Sequence, residues 1–150
     1  MIIQSAVYGE LEIGAQETIT LVQGMPGFES FNRYAVVKVD EEGPFRIMQC
    51  MEEPGVSFVL TNPFHFFPDY DIQLPESVQE ELAIGGPEEV EVWTIVSIQD
   101  QVKNATVNLM APIILNRNKQ TGKQVILNDS GYHVRQRLLP EQSANSGTEG

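Results

Sequence analysis

Val90-Glu91-Val92-Trp93-Thr94-Ile95-Val96-Ser97-Ile98 alternates without a break. Val90, Val92, Thr94, Val96 and Ile98 share one face, and Glu91, Trp93, Ile95 and Ser97 share the other. Successive side chains on an extended chain point to opposite faces, so period two combined with β-branched residues predicts a strand rather than a helix. Shorter runs of the same kind recur along the chain with turn residues between them, the pattern of a mostly β domain. Eight strands are expected: two in the stretch 3–22, meeting between Ile13 and Thr18, then 34–39, 45–51, 56–61, 90–98, 105–115 and 124–127.

The breaks between these runs carry turn chemistry. Met25-Pro26-Gly27 and Glu53-Pro54-Gly55 both have the Pro-then-Gly order of a type II turn, with proline presetting φ and glycine supplying a positive φ. The second of these turns makes 45–51 and 56–61 a hairpin. Pro112 argues for a bulge or an edge position within 105–115, and Thr121 and Gly122 are read as the joint between the last two strands. One short peripheral helix is expected from Pro75 to Gly85: proline suits a first helical position, Glu76 complements the positive end of the dipole, Val78 and Leu82 fall on one face, and Gly85 offers a left-handed stop. The expected architecture is a small antiparallel β-barrel or β-roll around a single core, spanning residues 1–139. Residues 140–150 lack any apolar anchor and read as a disordered tail.

The chain has 150 residues and a formal net charge of -12, with the charge unevenly placed. Between Asp40 and Asp100 fourteen carboxylates face one base, Arg46, whereas 104–140 holds five bases and one acid, Asp129. Like charges crowded on one stretch repel each other, and their field favours a basic partner. It would also repel phosphates, which argues against direct nucleic-acid binding and against an anionic membrane surface. The plainer reading of such acidity is solubility. No apolar run is long enough to cross a bilayer. The start of the chain has no charged-then-apolar leader, so a cytoplasmic protein is expected.

Signs of catalysis or of a cofactor are missing. Carboxylate pairs at Glu52 and Glu53, Asp69 and Asp71, Glu80 and Glu81, and Glu88 and Glu89 fall at predicted turns and on a helix surface. General acid catalysis instead needs a carboxyl raised by an apolar wall. His65, His133 and the lone Cys50 have no companions at metal-ligand spacing, and Cys50 reads as a small buried hydrophobe. No nucleophile elbow or phosphate loop is present.

Residues 62–71 differ in kind, with Phe64, Phe66, Phe67 and Tyr70 interleaved with Pro63 and Pro68 and joined by Asp69 and Asp71. Either the aromatics pack, closing one end of the barrel, or they anchor a partner beside an acidic rim. The candidate partner surface is Phe64, Phe66, Phe67, Asp69, Tyr70 and Asp71, rimmed by Glu52 and Glu53.

Four separated motifs together resemble the flagellar assembly factor FliW family. They are Gly24-Met25-Pro26-Gly27-Phe28-Glu29; Met48-Gln49-Cys50 leading to Phe58; Asn62-Pro63 followed by Pro68-Asp69-Tyr70; and Thr106-Val107-Asn108-Leu109-Met110-Ala111-Pro112-Ile113-Ile114-Leu115-Asn116. The stretch 124–127 with Tyr132, Arg135 and Leu138 completes the pattern, while Cys50 and Leu115 depart from it. The resemblance implies a cytoplasmic, non-enzymatic protein with two partners, flagellin and the translational repressor CsrA. It further implies that CsrA is antagonised allosterically, outside its RNA site, and that flagellin and CsrA exchange so that flagellin synthesis follows secretion. A dedicated flagellin chaperone without a role in translation is the alternative. Asn108 and Asn116 are read as hydrogen-bonding residues at strand ends, and residues 25–28 as a scaffold turn.

Overall fold

The computed structural model describes residues 1–39, 43–128 and 130–139. The tail expected over 140–150 lies outside the described residues. Eleven strands form among them: β1 Ile2–Ser5, β2 Gly9–Glu12, β3 Thr18–Leu21, β4 Arg33–Lys38, β5 Phe45–Cys50, β6 Ser57–Thr61, β7 Val90–Ser97, β8 Thr106–Val107, β9 Ile113–Asn116, β10 Thr121–Gln124 and β11 Gln136–Arg137. Two helices are short, α1 Pro63–Phe66 and α2 Glu76–Glu81. Strands β3 to β7 pair in sequence order, β7 pairs with β9, β9 with β10, and β10 returns to β3, which closes a seven-stranded barrel. The closing β3–β10 pair is parallel, whereas the other pairings are antiparallel.

Alternation along β7 organises the packing. Trp93 and Ile95 join Ile19, Leu21, Met48 and Leu60 in one buried cluster inside the barrel. Val90, Val92 and Val96 point the other way, into a second cluster with Val78, Leu82, Leu109 and Leu127. A third cluster forms where the β1–β2 hairpin lays Ile3 and Ile13 over Ala35, Val37 and Ile47. The expected single core is therefore corrected to three, because strands apolar on both faces need cover outside the barrel as well as filling within it.

Local departures from expectation have local causes. The anticipated strand 105–115 is interrupted: Asn108 Oδ1 accepts from the N–H groups of Met110 and Ala111, turning the chain out between β8 and β9, and Pro112 lies in this break. Gly122 sits inside β10 rather than in a turn. A Cβ there would lie 2.4 Å from Leu115 Cδ2 and 3.2 Å from the Ile114 carbonyl oxygen, so glycine is needed for close approach. The turn before β10 is made by Gln120, with φ 55°. Helix α2 stops two residues before the expected glycine, on Ala83 with φ 54°, where Ile84 N–H donates to the Gln79 carbonyl and Ala83 N–H to that of Glu80. The turn at residues 25–28 forms with Gly27 at φ 85° and Phe28 N–H donating to the Met25 carbonyl. The Pro54-Gly55 turn closes with Val56 N–H on the Glu53 carbonyl, but Gly55 is not among the positive-φ residues, so this turn is not type II.

Candidate functional site

After β6 the chain leaves the barrel wall. Asn62 caps the next turn, its side chain accepting from Phe64 N–H at 2.9 Å, and Pro63 occupies the first helical position. The resulting helix, α1, was not anticipated, although an Asn-Pro pair is a recognised way to start one. It separates the four aromatics. Phe66 and Phe67 are half-buried against the outer cluster, with Phe66 5.9 Å from the Phe45 ring. Tyr70 is only 5% exposed, its hydroxyl donates to the Leu109 carbonyl at 2.7 Å, and its ring lies 4.7 Å from that of Tyr132. Burial, followed by the neighbouring Tyr132, pushes the Tyr70 phenol far above its ordinary pKa, so it stays a neutral donor. Tyr132 ties the following residue as well, accepting from Asp71 N–H at 2.9 Å.

Phe66, Phe67 and Tyr70 thus pack, and they do so on the outside of the barrel wall rather than as a plug in its end. Phe64 differs from them at 41% exposed, resting against Tyr70 with ring centroids 5.7 Å apart. Asp69 and Asp71 project from the same segment as exposed carboxylates. Of the candidate residues in this loop, Phe64, Asp69 and Asp71 are therefore the exposed ones, while the other three aromatics hold the loop in place.

The rim assigned to Glu52 and Glu53 is not beside this loop. Both lie in the β5–β6 turn, whereas Asn62 follows the far end of β6, a five-residue strand that spans roughly 16 Å. Glu52 is also committed to the fold, since Oε1 accepts from the N–H groups of Asn32 at 2.8 Å and Arg33 at 3.2 Å. Glu53 accepts from Gly55 N–H at 3.2 Å, closing its own turn. On the other side of the loop, carboxylates follow on α2 and the turn after it: Glu76, Glu80, Glu81, Glu88 and Glu89. Of these, Glu81 pairs with Lys123 at 2.6 Å, and Glu89 accepts from Gly85 N–H at 2.8 Å. Glu91, at the start of β7, pairs with Arg117 at 3.1 Å and also accepts from the Trp93 indole. These are the two ion pairs among the described residues.

The longest motif in the sequence supplies the framework. Leu109 offers the carbonyl that holds Tyr70, and Asn116, fully buried, donates through Nδ2 to the Leu82 carbonyl at 2.8 Å and the Ala83 carbonyl at 3.2 Å. Those are carbonyls at the end of α2 that no further helical turn can satisfy. The aromatic loop and α2 are thereby both fastened to one run of backbone.

Cys50 is buried, and burial raises its thiol pKa, which disfavours the reactive thiolate. Among the described residues no group of three or more His, Cys, Asp or Glu side chains could hold a metal ion, and no helix is long and apolar enough to cross a membrane.

A family model described as FliW protein matches residues 2–138. A flagellar assembly factor FliW from Alkaliphilus metalliredigens (strain QYMF) is 38% identical over 142 residues, covering 94% of this chain and 88% of the relative. One from Bacillus licheniformis is 39% identical over 136 residues, covering 91% and 95%. A crystal structure of the flagellar assembly factor FliW superposes with a TM-score of 0.87 at 36% identity, covering 95% of this chain and 99% of that one.

Proposed function

The chain belongs to the FliW protein family, and on that premise we propose that it is a flagellar assembly factor that works by binding, without catalysis. Its partners in this reading are the translational repressor CsrA and flagellin, taken in alternation in the cytoplasm. Flagellin awaiting export occupies the chain and leaves CsrA free to repress flagellin mRNA; once flagellin has left, the chain captures CsrA and relieves repression.

One observation carries the reading: Asp69 and Asp71 stand exposed and outside the ion pairs among the described residues, beside an exposed aromatic, Phe64, on a loop fixed from behind by Tyr70 and Tyr132. A rigid loop loses little entropy on docking, an aromatic anchor supplies contact energy, and rim carboxylates steer a cationic protein. The same charges act against RNA on a captured repressor. At an effective dielectric of about 20, a carboxylate about 8 Å from a phosphate costs roughly 2 kcal/mol before screening. The Debye length is also about 8 Å at physiological salt, so only carboxylates at the contact edge contribute. The antagonism needs no overlap with the RNA site. Glu52 and Glu53, at the other end of the hairpin, take no part in this contact.

The test is a mixing experiment. Added to CsrA bound to labelled flagellin leader RNA, the chain is expected to release the RNA, and flagellin added afterwards to restore the complex. Asp69→Lys with Asp71→Lys is expected to weaken CsrA capture at least tenfold. Unchanged affinity removes this loop from the interface, and failure to release RNA at all, with flagellin still bound, leaves the flagellin chaperone instead.

A further inference from the structure

Beside Phe64 the surface opens into a groove of about 600 Å³. Val90 and Val92 of β7 line it together with Ile72, Leu74 and Ile84. The volume falls within the range of sites that hold a ligand of several apolar groups. None of the lining residues is charged. The lining's neighbours in the chain are otherwise: Asp71 precedes Ile72, Glu80 follows Gln79 on α2 with Glu76 one helical turn earlier, and Glu88 follows Pro87, all exposed and none in either ion pair among the described residues. Four exposed carboxylates thus stand next in the chain to, or one helical turn from, residues that line an uncharged apolar trough.

We propose that this groove docks a short protein segment carrying two or three large apolar side chains flanked by lysine or arginine. The apolar side chains would leave water for the trough, and the flanking cations would meet these carboxylates, which is the arrangement of an interface core and its rim. The carboxylates exclude other occupants by sign. Nucleic acid and anionic lipid are repelled, and a small neutral molecule gains nothing from the charges. The proposal deepens the partner-capture reading and rests on it, since a site for a basic apolar segment matters only in a protein that works by holding others.

The experiment selects a displayed library of random nine-residue peptides on the whole chain. Affinities of the enriched peptides follow from fluorescence anisotropy, and their location from backbone amide shifts. The expected consensus has at least two of Leu, Ile, Met or Phe with flanking Lys or Arg, and shifts centred on residues 72–74 and 84–92. Ile84→Asp is expected to weaken these peptides at least tenfold. Glu76→Lys with Glu80→Lys and Glu88→Lys, all at exposed positions, is expected to do the same while leaving the thermal midpoint near wild type, so the result does not hang on one half-buried substitution. A consensus without bases, no enrichment, shifts elsewhere, or unchanged affinity in the triple variant overturns the proposal. CsrA and flagellin capture is measured in parallel on the same proteins. Peptides bound in the groove without capture of either partner would sink the proposed function alone, and capture of both without any selected peptide would sink the groove alone.

Discussion

Replacing Asn116 by alanine tests the claim that the long motif positions the site. The side chain is wholly buried and makes three hydrogen bonds, donating to the Leu82 and Ala83 carbonyls and accepting from Lys119 N–H at 3.3 Å. Lys119 is exposed, so water can replace that last bond. The Leu82 carbonyl belongs to a buried residue and is left without its side-chain donor. At about 1–3 kcal/mol for a buried group left unpaired, plus a smaller loss at Ala83, Asn116→Ala is expected to cost roughly 2–4 kcal/mol. In a chain of this length that is a fall in thermal midpoint of roughly 5–15 °C. The loss should also be local: hydrogen exchange is expected to accelerate at the amides of 78–84, whereas β4, β5 and β6 keep their protection. Asn116→Asp separates donation from mere filling of space. Its carboxylate would face two carbonyl oxygens, making it worse than alanine at neutral pH. Burial and those carbonyls raise its pKa, so the variant recovers relative to alanine as pH falls through that raised value and the protonated form donates once. A cost below about 0.5 kcal/mol for alanine, or an aspartate variant indifferent to pH between 5 and 8, would refute the reasoning.

Other expectations follow from single positions. Ala83→Gly relieves a left-handed residue at the end of α2 and is expected to stabilise by about 1 kcal/mol, read as a rise of a few degrees in midpoint. Gly122→Ala drives a methyl into Leu115 and is expected to cost about 1–3 kcal/mol in urea denaturation. Tyr34 is buried with a hydroxyl that lacks a partner among the described residues, and burial, then Cys50 and Glu52, push its pKa from 10.0 to about 12. The folded state therefore holds this proton more tightly than the unfolded chain, a contribution present below pH 10 and lost as pH rises from there to about 12. Tyr34→Phe is expected to be neutral or slightly stabilising at pH 7 and to flatten the alkaline fall of stability, measured by urea melts from pH 8 to 12.

The barrel was legible where one physical signal dominated. Alternation in β7 was strong enough to assign both faces correctly, because Trp93 and Val92 answer to different cores. The 25–28 turn was legible because proline followed by glycine leaves few conformations, yet the same order at Pro54-Gly55 made another turn, there held by Ala6 N–H on the Pro54 carbonyl and by Gln49. Gly85 and Gly122 misled for one reason: a glycine signals positive φ or close approach, and sequence alone does not say which. Gln120 and Ala83 took the left-handed conformations instead, with Gln120 fixed by its side chain donating to Ala15 and Thr18 carbonyls more than a hundred residues away in sequence. The parallel β3–β10 closure and the two outer cores depend on such distant pairings and left no periodicity to read. In the candidate site, the composition of 62–71 singled out a loop that is partly packed and partly exposed. Which aromatics faced outward depended on α1 and on Leu109 and Tyr132, all beyond any local pattern. Glu52 and Glu53 lie near that loop along the chain, but the length of β6 separates them from it in the fold.

The charge split reads differently once folded. The basic final third does not stand apart from the acidic middle: Arg117 and Lys123 reach Glu91 and Glu81, so part of the asymmetry is an internal pairing of two stretches of one chain. Partly exposed pairs of this kind contribute about 0–1 kcal/mol each, too little to explain why so many carboxylates are gathered in the middle. The acids left over near the groove change stability little: Glu76 complements the dipole at the start of α2 but repels Glu80 four residues on, each by a few tenths of a kcal/mol. Solubility alone asks for charge spread over a surface, not for carboxylates gathered in the stretches that line an uncharged trough and form a loop with an exposed phenylalanine. The stability of the chain gains little from those acids; their field acts on whatever approaches from outside.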